Sequence, residues 1–250
     1  MINRSKWDNA FGKVVKKRFF TEDDIRDIKD MVFFLTDQED RKEYIWKYYE
    51  HFSKKVNRIE YFVNYHKGLK EIANSKEVLE AVNELMGEES VLFKDKINYK
   101  YPGGESFEPH QDITAGWGRY TNKHVSIAIP LCDTFEENGA LFFGETVNEQ
   151  LTDLYTDLDL NLPYDAICTD IGDVILFDSY VPHASYENKT SDPRPILMFT
   201  YTPKSEGDYY EKYHADKFKN VPPDIYKEVG KSYRSGNTNI TKAYQRVDNK

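Results

Sequence analysis

The chain has 250 residues, a formal charge of −9 and 31% charged side chains, with basic and acidic residues interleaved along most of its length. That length suits one large domain or two small ones with a substantial core, and the interleaving argues against a nucleic-acid footprint, which would be a basic face or block. The opening run MINRSKWDNAFGKVVKKRFF lacks the apolar stretch of a signal peptide, no segment approaches the ~18 apolar residues of a membrane span, and Cys132 and Cys168 are too few for a disulfide framework, so a cytoplasmic protein without membrane or nucleic-acid partners is expected.

The first third has helical spacing. TEDDIRDIKDMVFFLTD opens with Thr21 as an N-cap and acids in the first turn. QEDRKEYIWKYYEHFSKK, RIEYFVNYHKGLKEI and KEVLEAVNELMG continue the pattern, the last stopping at Gly87. His51 and His66 fall in these segments and read as packing or surface residues. From Ser90 the period becomes two. VLFKDKINYKY places Phe93, Asp95, Ile97, Tyr99 and Tyr101 on one face and Lys94, Lys96, Asn98 and Lys100 on the other. HVSIAIPLC, ALFFGE, DAICTDI, DVILFD and PILMFTYTP follow as strand candidates, separated by ENG, IGD and SDPRP turns. Short successive strands without intervening helices predict an antiparallel sandwich or jelly roll. The expected fold is mostly β with flanking helices, as one domain: residues 1–89 as helical support, 90–203 as the jelly-roll core and 204–250 as a C-terminal wrapping segment. Most of the 19 tyrosines read as core and sheet-face residues, Cys132 and Cys168 as small core residues on strands, and the sequons at Asn188 and Asn239 as incidental.

The pair His110 and Asp112 in FEPHQD is a weak signal alone, because His-x-Asp recurs by chance. A third ligand changes its weight. Asp173 to Asp178 reads as a buried strand with His183 at its exit, where an antiparallel barrel could bring it beside His110. Two histidines and one carboxylate with open positions form the facial site of non-haem Fe(II) oxygenases. Arg194 begins the next strand. On its own it could be an ordinary surface arginine; with the triad it becomes a natural bidentate clamp for the distal carboxylate of 2-oxoglutarate, with the Ser185 hydroxyl in support.

HQD, the GD-x-x-x-F-x-x-x-x-x-H segment, Ser185 and Arg194 together resemble the phytanoyl-CoA dioxygenase family of Fe(II)/2-oxoglutarate oxygenases, over roughly residues 90–203. FKDKINYKYPGG, FDSYVPHAS and SEGDYYEKYHADKFKNVPPD are most similar to its bacterial phosphonate dioxygenases, which hydroxylate 2-aminoethylphosphonate or its trimethylammonio analogue beside phosphorus. The resemblance implies a double-stranded β-helix, cupin-like core. It implies His110, Asp112 and His183 as iron ligands, Arg194, Ser185 and Gln111 as cosubstrate contacts, and Fe(II), 2-oxoglutarate and dioxygen as cofactor and cosubstrates. Asp112 favours hydroxylation over halogenation, which needs a small residue there. One departure stands out: relatives continue from ENG into a Pro-Gly-Ser-His turn that shapes a pocket edge, whereas here the run is ENGALFFGETVNEQ.

For a small zwitterionic substrate, Asp95 could pair with a cation, and Tyr99 or Trp117 could offer a π surface, if that face of the 91–101 strand points inward. A reversed strand, or pairing of Asp95 with a neighbouring lysine, is an equal alternative. Lys96 and Arg119 are candidates for an anionic group, although a solvated charge is the better reading of Lys96. Trp117 and Arg119 sit in AGWGRY, where a loop could close over a ligand. His124 reads as a strand-opening structural residue, and His214 as a weak candidate for a substrate contact or lid. Two further readings stay open: the same chemistry on an amino acid, betaine or natural-product intermediate, and a non-catalytic jelly-roll ligand-binding protein. A Zn or Mn cupin would recruit more histidines than the two of this triad. Nothing in the sequence sets the oligomeric state.

Overall fold

The computed structural model describes residues 11–39, 43–50, 53–104, 106–145, 163–231 and 233. Helix α1 (Glu22–Asp37) begins with a capping box: the Thr21 hydroxyl accepts the Asp24 amide, and the Asp24 carboxylate accepts the Thr21 amide. Ile25, Ile28, Val32 and Leu35 form its buried stripe. Helix α2 (Lys67–Ala73) is capped by His66, whose Nδ1 accepts the Leu69 amide, so this histidine is structural as expected. Helix α3 (Lys76–Met86) is capped by Ser75 and ends at Gly87, whose φ of 83° suits glycine.

The first third is not wholly helical. It also supplies β1 (Lys13–Lys16), β2 (Trp46–Tyr49) and β3 (Val56–Glu60). WKYY alternates in fact: the Lys47 ammonium reaches the last carbonyls of α1, at Thr36 and Gln38, while Tyr48 lies on the opposite face beneath the Arg58 guanidinium. Apolar spacing in this stretch fits both periods, and aromatic residues with a sheet edge to pair against favour the strand. His51 lies outside the described residues.

The core strands are β4 (Ser90–Lys100), β5 (Phe107–His110), β6 (Val125–Pro130), β7 (Leu141–Phe143), β8 (Asp165–Ile167), β9 (Val174–Asp178), β10 (His183–Ser185) and β11 (Arg194–Pro203). They form a seven-stranded sheet in the order β1-β9-β6-β11-β4-β3-β2 and a four-stranded sheet in the order β5-β10-β7-β8. Every ladder is antiparallel, the jelly-roll arrangement expected.

The large sheet is buried on both faces. Phe93, Ile97, Tyr99, Ile127, Ile129, Leu197 and Phe199 pack with the residues of α1 to α3, and also with Tyr210 and Tyr213 of α4 (Tyr210–Asn220). A smaller cluster joins the two sheets: Ala128, Ile175, Phe177, Ile196 and Met198 against Leu141 and Phe143. The segment after Pro203 is more regular than expected, since α4 precedes its irregular part. It wraps β2 through Tyr48, whose hydroxyl donates to the Val221 carbonyl, and through the Tyr49 amide on Asp224. Cys132 is half-buried beyond β6. Cys168 is exposed one residue past β8, where the chain leaves the sheet, so neither is a core strand residue.

Candidate active site

β5 and β10 pair with His110 directly opposite His183, which places the two imidazoles side by side with centroids 4.4 Å apart. The chain then bends through Gln111 into a 3₁₀ turn that starts at Asp112, and the Ile113 amide ties this turn to the Ser179 carbonyl at the exit of β9. One ligand atom from each of His110, Asp112 and His183 lies within 4.8 Å of the others. Each imidazole is oriented from behind. His110 Nδ1 donates to the Glu108 carbonyl at 2.7 Å and His183 Nδ1 to the Val181 carbonyl at 3.1 Å. This tautomer leaves both Nε2 lone pairs facing the carboxylate, at 3.8 Å from Asp112 Oδ1 and 4.0 Å from Oδ2. Burial lowers both imidazole pKa values, that of His183 to about 3, and so keeps them neutral. Burial alone would raise Asp112, but the positive charge nearby, that of Lys96 foremost, outweighs it and holds the carboxyl well below the usual range. Asp112 Oδ2 is buried with no hydrogen-bond partner among the described residues. Two neutral imidazoles and an orphaned carboxylate oxygen fit Fe(II) in its facial geometry.

The second cluster lies along β4 and β11, which pair Arg194 opposite Lys100. Arg194 is 2% exposed; its Nη2 donates to the Gly139 carbonyl, and its Nε has no partner among the described residues. Gly139 closes the ENG turn with φ 81°, and a Cβ there would come within 2.8 Å of the Tyr186 carbonyl and 3.2 Å of Lys100 Cγ. Only glycine lets the turn sit so close to both cations. Lys100 Nζ donates to the Ser185 carbonyl at 3.1 Å. Burial, with Arg194 nearby, pushes Lys100 down to about 7, and burial lowers Arg194 to about 10. Two buried neighbouring cations next to the triad suit a carboxylate. Ser185 is buried two residues past His183, while the Gln111 amide donates to the Tyr180 carbonyl at 2.7 Å and braces the β9–β10 connection. Lys100 is the residue the sequence reading missed, because its face of β4 resembled a solvated one.

The expected substrate contacts mostly fall elsewhere. Asp95 faces the helices, fully buried. Its carboxylate accepts the Tyr61, Phe62 and Val63 amides at 3.2, 2.7 and 2.8 Å and the Tyr210 hydroxyl at 3.0 Å. It is an anchor for the chain after β3, not a cation partner in the cavity. Tyr99 shares that outer face, and its hydroxyl bonds to Thr36 and the Val32 carbonyl of α1. The strand is therefore reversed relative to the pocket reading. Trp117 is buried against Phe93 and His124, with centroids 5.6 and 5.2 Å away, and Lys94 Nζ lies 5.4 Å from its ring. Arg119 is exposed on the same turn. His124 is buried beside the Thr121 hydroxyl, and His214 points Nε2 at Asp95 from 3.5 Å, so both are structural. Asn188 is fully buried and bonds the Lys100 carbonyl, while Asn239 lies outside the described residues.

Lys96, read as solvated, is instead 8% exposed, with Nζ 4.0 Å from Asp112 Oδ1. Beside it Glu60, fully buried, is paired with Arg58 Nε at 3.0 Å, Lys94 Nζ at 3.3 Å and Lys217 of α4. Basic groups thus line the inner face of β3 and β4.

A double-stranded β-helix holding two histidines, a carboxylate and a buried arginine defines the class of Fe(II)/2-oxoglutarate oxygenases. The family described as Phytanoyl-CoA dioxygenase (PhyH) matches residues 5–196, and the chain belongs to it. It is 36% identical over 244 residues, 93% of this chain and 92% of the relative, to a 2-aminoethylphosphonate dioxygenase of the uncultured bacterium HF130_AEPn_1. It is 34% identical over 170 residues, 64% of each chain, to a methylphosphonate hydroxylase of Gimesia maris. The crystal structure of EctD from S. alaskensis with 2-oxoglutarate and 5-hydroxyectoine shares the fold at TM-score 0.68 and 20% identity, over 80% of this chain and 74% of that one. The chain is a 2-oxoglutarate-dependent dioxygenase that uses Fe(II) and dioxygen, and His110, Asp112 and His183 could hold the metal. No helix among the described residues is long and apolar enough to cross a membrane.

Proposed function

We propose that the enzyme hydroxylates an aliphatic C–H beside phosphorus in a small organophosphonate, 2-aminoethylphosphonate or a close analogue, in the cytoplasm. The observation that carries this reading is the end-to-end match to a 2-aminoethylphosphonate dioxygenase, which spans 93% of this chain. We read the chain as a single domain, a reading supported by the buried Glu60–Lys217 ion pair that joins β3 to α4, both from outside residues 90–203.

In this reading His110, Asp112 and His183 would hold Fe(II), which together with 2-oxoglutarate and dioxygen would supply the oxidising chemistry. The backbone carbonyls of Glu108 and Val181 fix the imidazole tautomers and so keep both Nε2 atoms available. Arg194 and Lys100 take the distal carboxylate of 2-oxoglutarate, with Ser185 beside them. Phe143, Phe177, Val181 and Met198 form a buried apolar cluster against the triad, with the Phe177 ring 5.0 Å from that of His183 and the Phe143 ring 5.8 Å from it.

A second reading, the same chemistry on an amino acid, betaine or natural-product intermediate, is favoured by one observation. Where relatives carry a Pro-Gly-Ser-His turn, this chain runs from Gly139 directly into β7. Succinate formation separates the two. Protein purified without oxygen is given Fe(II), 2-oxoglutarate and one candidate compound, then exposed to air. The phosphonate reading expects succinate to rise with 2-aminoethylphosphonate and to vanish in His110→Ala. Succinate that responds only to a betaine or amino acid would overturn it in favour of the second.

A further inference from the structure

Lys96 is an unusual buried lysine. Its side chain is 10% exposed, its ammonium makes no hydrogen bond among the described residues, and its one charge contact is Asp112 at 4.0 Å. Burial disfavours its charged form and Asp112 offsets this only in part, so the ammonium would gain from a further anionic partner. A metal ion on Asp112 would deepen the deficit, because it takes up the carboxylate that Lys96 faces.

The neighbours share the imbalance. Lys94, two residues along the same face of β4, is 6% exposed, and Glu60, its nearest carboxylate, is already engaged with Arg58 and Lys217. Four basic side chains, Arg58, Lys94, Lys96 and Lys217, thus share two carboxylates, Glu60 and Asp112. Fe(II) and 2-oxoglutarate carry equal and opposite charge, so loading the enzyme does not correct this excess. Fully protonated, the cluster would be neutralised by one doubly charged anion.

We propose that Lys96 and Lys94, with Arg58 behind them, form an anion subsite that selects a doubly charged phosphonate over singly charged groups of the same shape. The assignment rests on the phosphonate reading and supplies its recognition element. A sulfonate is the informative competitor: it is tetrahedral and nearly isosteric with a phosphonate but carries one charge. Selection by shape alone would accept both, whereas selection by charge discriminates through the two ammonium groups. Met198, paired directly with Lys96 across β11 and β4, belongs with Phe143 and Phe177 to an uncharged apolar cluster beside the lysines.

The test measures binding in the absence of oxygen, with Fe(II) and 2-oxoglutarate present, of 2-aminoethylphosphonate and of its sulfonate isostere taurine. The wild type is expected to prefer the phosphonate on the order of 30-fold, as for a buried charge pair. Lys96→Met should weaken phosphonate binding by a similar factor and leave taurine nearly unchanged, so that the preference collapses; Lys94→Met should do so to a smaller extent. Lys96→Arg should retain most of it. The ratio of the two ligands within one variant is insensitive to a partly unfolded fraction. If 2-aminoethylphosphonate supports turnover but Lys96→Met keeps the full preference, the subsite is wrong and the phosphonate reading stands. If Lys96→Met instead weakens 2-oxoglutarate binding and leaves the preference intact, the lysines serve the cosubstrate and the proposal falls. If 2-aminoethylphosphonate neither binds nor is turned over, the underlying reading fails first.

Discussion

Strand β4 carries Phe93, Asp95, Ile97 and Tyr99 on one face and Lys94, Lys96, Asn98 and Lys100 on the other, and the two faces divide the labour of the molecule. The apolar face packs on the helices, where Asp95 ties down three backbone amides and Tyr99 reaches α1. The lysine face turns inward to the cavity, where Lys96 meets Asp112 and Lys100 meets Arg194 and Ser185. A sheet between helices and a second sheet has two interiors. Hydrophobic patterning points to the dry one; the reactive one is lined by charges that a pattern argument assigns to solvent.

The sharpest way to break this division is at the metal ligands. Asp112→Ala should lower substrate-dependent succinate formation by more than about 100-fold, measured by product assay, since even residues that only orient a ligand cost 10- to 100-fold. On the opposite face, Asp95→Ala should cost about 3 kcal/mol of stability in urea unfolding, because it strands three buried amides, while the folded fraction keeps its metal site. Arg194→Ala should raise the KM for 2-oxoglutarate by about 30-fold, with a smaller effect on kcat.

Lys100 gives the comparison a pH signature. Its pKa is pushed down to about 7 by burial and Arg194, whereas a free lysine titrates near 10.4. A depressed lysine costs stability in the free protein wherever it is forced to carry charge, at pH 7 and below, and that cost disappears as pH rises toward the unfolded value. A carboxylate favours the charged form, so 2-oxoglutarate affinity should fall as pH rises above about 7, by up to about tenfold per unit. Calorimetric titration across this range would show the fall, and Lys100→Met should flatten it. The smallest effect is expected at Tyr99→Phe, about 1 kcal/mol of stability with unchanged turnover, since its hydroxyl bonds to Thr36 and Val32 of α1, on the face away from the triad.

Much of the frame was legible in advance. Period-two segments located β4, β6, β7, β9 and β11, and the HQD pair, His183 and Arg194 stood out because ligand chemistry restricts residue type. β2 and β3 were misread as helix, since a short aromatic stretch has no single period and takes its state from the edge it pairs with. Asp95 and Lys96 could not be placed from the sequence, which left the orientation of β4 open, because one reversal of the strand exchanges the interior each faces. Lys100 was silent for the same reason: its meaning comes from lying opposite Arg194, across two strands far apart in sequence.

The most direct measurement is the absorption spectrum of the anaerobic protein with Fe(II) and 2-oxoglutarate, compared between variants on the two faces of the large sheet. A 2-oxoglutarate-dependent band is expected in the wild type and in Tyr99→Phe, with its loss in His183→Ala and a higher 2-oxoglutarate requirement in Arg194→Ala and Lys100→Met. A band that survives His183→Ala, or that responds to Tyr99→Phe as strongly as to Lys100→Met, would contradict the placement of the chemistry on the inward face.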